Sequence, residues 1–213
     1  SDLEIDDEER ADSSVVFVTP RSSASGGWNE PEQTKWLERR KDKGWKLIRV
    51  IDGVKLADWL REYPAIGKWM AKKLSLSSNL GGLTTATEHW DDLISECAVD
   101  DPPFTPKLFT IGRPGACEAL QALFEGKTQV LLLFAESPQD VADFVSAYLA
   151  ELDPDISRTF SNRCLYINDE QAWRSIVETR SPHVLIADPR LGLETDEGAT
   201  LQTIARRRGH AVV

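Results

Sequence analysis

Apolar residues along this chain fall into short runs at two different spacings. Val15 to Thr19 is β-branched and aromatic and stops at Pro20, which predicts a buried strand. Between Glu30 and Lys43, Trp36 and Leu37 take one side while Glu38, Arg39, Arg40 and Lys41 take the other, which predicts a helix ended by Gly44. Trp45 to Ile51 predicts a second strand, with Asp52-Gly53 as its turn. Val54, Leu56, Ala57 and Leu60, then Ile66, Trp69, Met70 and Leu74, recur at helical spacing, and Pro64 divides them into two short helices. The order is β-α-β-α-α. A Ser, Asn and Gly-rich connector from Leu76 to Leu83 leads to a further helix at Thr84 to Cys97, which carries His89, Trp90, Leu93 and Ile94.

Asp100-Asp101-Pro102-Pro103 is the clearest break in the pattern. Beyond it, apolar strands are predicted at Leu108 to Ile111, Val130 to Phe134, Cys164 to Ile167 and Val184 to Ala187. They alternate with helices at Gly115 to Phe124, Pro138 to Leu152, Glu170 to Glu178 and Gly198 to Arg208. Strands without polar alternation, interleaved with helices, imply a parallel sheet covered on both faces. Ala211-Val212-Val213 reads as a strand just begun, and the chain opens within a charged run, so it is expected to be a piece of a longer protein. The organisation expected is an acidic tail at 1–14, a first portion at 15–76, a connector with a helix at 77–103, and an α/β module at 104–213.

Charge changes this picture. The net charge of −10 is unevenly spread: Ser1 to Asp12 has seven acids and one base, Ser13 to Asp100 twelve and thirteen, Asp101 to Val213 sixteen and eleven. Six of the seven tryptophans lie between Trp28 and Trp90, so the middle of the chain differs in composition from its flanks. The first residues are too charged to bury much and read as a solvated tail or the exposed end of a helix. No apolar run approaches the roughly 20 residues of a membrane span, and an acidic N-terminus is unlike a signal or transit peptide, so a soluble, cytoplasmic chain without a membrane partner is expected. Cys97, Cys117 and Cys164 are odd in number and widely separated, which favours reduced, buried thiols over a disulfide framework or a metal knuckle.

The run Val16-Phe17-Val18-Thr19, a helix, and then Lys46-Leu47-Ile48-Arg49-Val50-Ile51-Asp52-Gly53-Val54-Lys55-Leu56-Ala57-Asp58-Trp59-Leu60 resembles the C-terminal third of Mrr-type restriction-endonuclease-like domains. In that family an FVT strand and a helix lead to an IDG strand and helix. The resemblance covers Val15 to Leu74, and it extends to large bacterial proteins that join such a domain to an NTPase-like module. Nucleases of this class bind divalent metal through an Asp and a Glu-x-Lys on strands preceding the matched part, because hard cations need clustered carboxylates. Asp2, Asp6 and Glu8 lie in the tail, Glu38 on a helix and Asp52 in a turn, so no catalytic residue is carried over.

Ile111-Gly112-Arg113-Pro114-Gly115-Ala116-Cys117-Glu118-Ala119-Leu120 resembles the opening of signal-transduction NTPases, with Val130 to Phe134 where the strand before a phosphate loop would stand. A working loop is Gly-x-x-x-x-Gly-Lys-Ser/Thr, whose backbone N–H groups wrap phosphate and whose lysine neutralises it. Ala135-Glu136-Ser137-Pro138-Gln139-Asp140 has neither glycine nor lysine, but it reads well as a helix start, with Ser137 as N-cap, Pro138 first and Asp140 closing a capping box. His183 to Asp188 resembles a Walker B strand, yet without a phosphate loop Asp188-Pro189 reads as a strand-to-loop turn. No nucleotide or other cofactor and no metal is therefore expected.

Lys35, Arg39, Arg40, Lys41, Lys43 and Lys46 form the densest basic run, with Trp36 and Trp45 interleaved. Lys35, Arg39, Arg40, Lys43 and Trp36 are the candidate nucleic-acid contacts, set against the alternative of a solvated helix face whose tryptophans are core. Arg206-Arg207-Arg208 fits a helix C-terminus. His89 stands beside Glu88 and Asp91, but adjacent helix positions point apart, so no metal role is assigned to it. His183 and His210 each open a strand with no second histidine at metal spacing. The resulting expectation is a noncatalytic part of a bacterial multidomain protein acting against foreign DNA. Its fold class would be α/β, a β-α-β-α-α remnant of a restriction-endonuclease-like domain plus a parallel-sheet P-loop-like module lacking the P-loop. Its partners would be the rest of the parent protein and, weakly, DNA. The alternatives are a nuclease with an unrecognised site and a nucleic-acid-binding module using the basic Trp-rich segment.

Overall fold

The structure, a computed structural model, describes residues 6–22, 28–76, 81–97, 104–193 and 195–213. The chain is mixed α/β and divides into two compact units, Ser1–Arg61 and Glu62–Val213. The Ser22 to Gly27 loop, apart from Ser22 itself, and the Asp100 to Pro103 break lie outside the described residues.

The first unit pairs β1 (Ser14–Val18) in parallel with β2 (Leu47–Ile51), in the register Phe17↔Val50. Before β1, α1 (Asp7–Asp12) gives the charged opening a single helical turn and a half, capped by the Asp6 carboxylate on the Glu9 N–H at 2.7 Å. The crossover between the strands is α2 (Glu30–Lys41), capped by Asn29 with Pro31 in its first turn. Phe17 holds this layer together, its ring centroid 5.2 Å from Trp28 and 5.0 Å from Trp36. The other face of the ribbon is uncovered within the unit, with Val16 48% and Val18 53% exposed. Asp52-Gly53 is a helix start rather than a separate turn: Asp52 caps α3 (Gly53–Glu62) through the Lys55 N–H at 3.0 Å. A Cβ on Gly53 would press into the Pro20 carbonyl, which explains a glycine there.

The second unit opens with α4 (Pro64–Lys73), begun by Pro64 at its first turn as the sequence predicts. Within the expected connector lies an unforeseen strand, β3 (Leu83–Thr85), which pairs antiparallel with β4 (Cys164–Ile167). The sheet continues in parallel through β5 (Val184–Ala187) to β6 (Ala211–Val212), in the order β3-β4-β5-β6. It is thus a mixed sheet with one antiparallel edge, not the all-parallel sheet expected.

Strand residues alternate between two apolar layers. Leu165, Ile167, Leu185 and Val212 pack with Trp173 and Ile176 of α10 (Glu170–Val177) and Leu201 and Ala205 of α11 (Asp196–Arg207). Cys164, Val184 and Ile186 pack with Ala86 of α5 (Ala86–Glu96), Leu120 and Leu123 of α7 (Pro114–Phe124), and Phe144, Val145 and Leu149 of α8 (Pro138–Glu151). Helices therefore cover both faces, as the continuous apolar strands predict.

Two predicted strands are not strands. Leu108 to Ile111 lies mostly in α6 (Lys107–Thr110), a one-turn helix whose Phe109 ring meets Trp90 and Phe104 and whose Thr110 hydroxyl donates to Glu151 at 2.6 Å. A four-residue apolar run carries no period, and here contact with helices decides its state. In Val130 to Phe134 only Val130 pairs, by a parallel bridge to Val212. The unforeseen α9 (Pro154–Ser161), capped by Asp153, completes the unit. Cys164 is buried as expected, while Cys97 and Cys117 are only half-buried; all three are free thiols. Among the described residues no helix is long and apolar enough to cross a membrane.

Candidate functional site

The start of α8 and the turn that follows β5 meet in one cleft of the second unit. Its volume is about 200 Å³, and it lies at the carboxyl ends of β4 and β5, where open α/β sheets characteristically bind ligands. Pro138 and Gln139 line it from the start of α8, Asp188 and Arg190 from beyond β5, Asn168 from beyond β4, and His89 from α5.

Local sequence chemistry fixes each wall. Ser137 and Asp140 form the reciprocal capping box expected of them: the Ser137 Oγ accepts the Asp140 N–H at 3.1 Å, and the Asp140 carboxylate accepts the Ser137 N–H at 2.9 Å. These are among the donors that a phosphate loop would turn towards its ligand. Asp188 caps the short 3₁₀ turn Pro189–Leu191 and holds Arg190 bidentately, Nε to Oδ1 and Nη2 to Oδ2, both at 2.8 Å. Arg190 keeps the Asp188 carboxyl below its ordinary range.

Between these walls stands an arrangement that reasoning on adjacent residues missed. His89 Nε2 lies 2.7 Å from Asp143 Oδ1, 54 positions further along the sequence, and the Gln139 amide donates to the same oxygen at 3.0 Å. The carboxylate oxygen accepts, so the proton between the two is carried on His89 Nε2. Below the pair, the Tyr166 hydroxyl donates to the Ala142 carbonyl at 2.9 Å and accepts from Ser146 at 2.7 Å, its ring 5.1 Å from that of His89. Burial pushes the Tyr166 phenol well up, so it stays neutral. One signal was available: Asp143 is an acid inside the apolar run Val141 to Leu149, and a buried carboxylate needs a partner. A histidine oriented by a carboxylate can accept or donate a proton, but no nucleophile is within hydrogen-bonding distance of it among the described residues.

Beside the cleft, Glu88 is enclosed by its own network. Burial would raise its carboxyl, but Lys68 Nζ at 2.9 Å and the Thr85 N–H at 3.1 Å outweigh that and hold it below its ordinary value. Glu88 and Asp91 do not join His89, and no group of three His, Cys, Asp or Glu able to hold a metal occurs among the described residues.

In the first unit, the basic candidates are spread around α2. Lys35 pairs with Glu32 at 3.1 Å, and the Arg40 guanidinium lies 4.1 Å above the Trp36 ring while donating to the Trp36 carbonyl at 3.5 Å. Trp36 itself packs on Phe17 and is half-buried. Arg39 and Lys43 are exposed. Of the acids, Asp6 and Asp52 are helix caps, Glu8 and Glu38 are exposed on α1 and α2, and Asp2 lies outside the described residues. The Lys55 N–H and the Gln33 amide, the latter at 2.7 Å, keep the Asp52 carboxyl below its usual range. Comparison with protein-family models, with curated proteins and with solved structures finds no match for this chain.

Proposed function

We propose that this chain is a noncatalytic module of a bacterial multidomain protein acting against foreign DNA, in which a restriction-endonuclease-like portion and a degenerate NTPase-like α/β portion serve structure and contacts. The observation that carries this reading is the internal pairing of the polar groups in and beside the cleft. Asp140 and Ser137 consume each other's hydrogen bonds, Asp188 is neutralised by Arg190, and Asp143 is shared by His89 and Gln139. A nucleotide in the cleft would have to break the Asp188–Arg190 and His89–Asp143 pairs, and the adjoining start of α8 presents the acids Glu136 and Asp140 where a phosphate loop presents a lysine. The exposed apolar face of the β1–β2 ribbon, with Val16 and Val18, supports a role in contacts, because parallel sheets are ordinarily covered on both faces. In the nuclease-like portion, Asp52 is engaged as a helix cap by the Lys55 N–H and by the Gln33 amide.

Titration calorimetry of the full chain with magnesium and ATP or GTP tests the reading, and no binding heat is expected. Duplex and single-stranded DNA should also stay intact with magnesium or manganese. Micromolar nucleotide affinity would overturn the degenerate-module reading, and cleavage abolished by Asp52→Asn or Glu38→Gln would overturn the noncatalytic one.

A further inference from the structure

Three helices of the second unit each turn one face towards a groove of about 490 Å³, a volume usual for small-molecule sites. It shares no wall residue with the cleft of His89. Trp69 and Lys72 come from α4, three positions apart; Glu88 and Asp91 come from α5, also three apart; Arg158 comes from α9 and Asn162 from its C-cap, four apart. Trp69 is 58% exposed, with Lys73 Nζ 6.0 Å from its ring centroid. Glu88 is already compensated by Lys68 Nζ at 2.9 Å. The other charges are not. The side chains of Lys72, Asp91 and Asn162 make no hydrogen bond or ion pair among the described residues, and Arg158 holds Asp155 at 3.4 Å in a pair open to solvent. The groove thus sets unspent positive charge from α4 and α9 against unspent negative charge from α5, beside an exposed indole.

We propose that this groove is a binding site for a free aromatic α-amino acid, with its ring on Trp69, its carboxylate on Arg158 and Lys72, and its ammonium group on Asp91. Each part of the occupant answers one wall. Ring against ring buries apolar surface of both and gains the offset or edge-to-face attraction of aromatic pairs. The Arg158 guanidinium is a planar fork that matches a carboxylate, and the Asn162 amide is a second donor on the same helix face. Asp91 is open to an ammonium group, whereas Glu88 is held by Lys68. Other ligand classes leave part of the groove unanswered. An uncharged aromatic would strip water from Lys72 and Asp91 without pairing either. A phosphate ester would satisfy the cations but would bring nothing to Asp91 and would face Glu88 beside it. A residue inside a polypeptide has neither a free carboxylate nor a free ammonium group at its α-carbon. The combination of an aromatic platform with unspent charges of both signs therefore selects a zwitterion.

Calorimetric titration of the full chain with L-tryptophan and with L-phenylalanine tests this, and saturable binding of both is expected. Trp69→Ala should weaken it about tenfold or more, as should Asp91→Asn and the pair Lys72→Gln with Arg158→Gln, all at unchanged urea midpoints. Truncated ligands test the same contacts on the unaltered chain. Tryptamine, which lacks the carboxylate, should bind about tenfold more weakly than L-tryptophan and lose nothing further in the Lys72→Gln, Arg158→Gln chain. Indole-3-propionate, which lacks the ammonium group, should stand in the same relation to Asp91→Asn. No saturable heat from either amino acid, or binding undiminished by Trp69→Ala, would overturn the site. Equal affinity for L-tryptophan, tryptamine and indole-3-propionate would overturn the zwitterion, and a peptide with an internal tryptophan that binds as tightly as the free amino acid would overturn the free occupant.

Discussion

Acidification from pH 8 to pH 5 should destabilise the second unit through a stacked pair of buried imidazoles. His183 is 1% exposed, and its ring lies 5.7 Å from that of His210 at an angle of 7°. The His183 Nε2 faces the Glu62 carbonyl at 3.2 Å and must donate to it, which leaves Nδ1 as a buried acceptor with no partner among the described residues. His210 Nδ1 accepts the His183 backbone N–H at 3.2 Å, so its Nε2 is the donor facing the Val177 carbonyl at 3.4 Å. Both rings are thereby neutral. Burial first, and then the facing His210 and Arg163, push the His183 pKa down to about 4, against the partial support of Glu62. Burial and Arg208 likewise lower that of His210.

The unfolded chain protonates His183 near its ordinary value of about 6.5, whereas the native state resists until about 4, so stability falls as pH drops through this interval and levels off below it. The two values imply a loss of about 2 kcal/mol by pH 5 and about 3 kcal/mol in full from His183 alone. Carboxylates held low by their partners, Asp52, Glu88 and Asp188, act mainly beneath this window. Urea midpoints at half-unit pH steps measure the loss. His183→Gln keeps an amide donor near Glu62 but cannot titrate, so it should cost stability at pH 8 yet shrink the decline to pH 5 by about 2 kcal/mol. An undiminished decline in that variant, or His183 ring resonances titrating near 6.5 in the native protein, would refute the reasoning.

Ser137→Ala should cost about 1 kcal/mol in urea unfolding through loss of the capping box, without creating nucleotide affinity detectable by calorimetry. Gly53→Ala should destabilise the first unit by more than the ordinary gain of about 0.5 kcal/mol expected for such a change at an open site, read as faster amide exchange in β1 and β2, because its Cβ meets the Pro20 carbonyl. For DNA, Lys35 is paired and Arg40 stacked, so fluorescence anisotropy should detect no binding at physiological salt. Any binding at low salt should be sequence-independent, with a salt slope near −3 for about three phosphates, and should diminish with Arg39→Glu and Arg40→Glu.

Local chemistry was legible wherever neighbours in sequence suffice to decide it. The capping box of Ser137 and Asp140, the helix break at Pro64, and the bounds of β4 and β5 follow from spacing and side-chain type, because caps, proline geometry and continuous apolar runs act within a few residues. The Asp153-Pro154 signal for α9 was present too, but its apolar positions are too few to show a period. What sequence alone could not decide depends on partners distant along the chain. Leu83–Thr85 became a strand because β4 offered an edge, Lys107–Thr110 became a helix because Trp90 and Glu151 were there to meet it, and of Val130–Phe134 only Val130 is paired, with Val212. His89 found Asp143, and His183 found His210, across 54 and 27 residues. Such pairs are set by the packing of whole layers, since burying a polar group is tolerated only where the fold brings it a partner, and that meeting is a property of the tertiary structure.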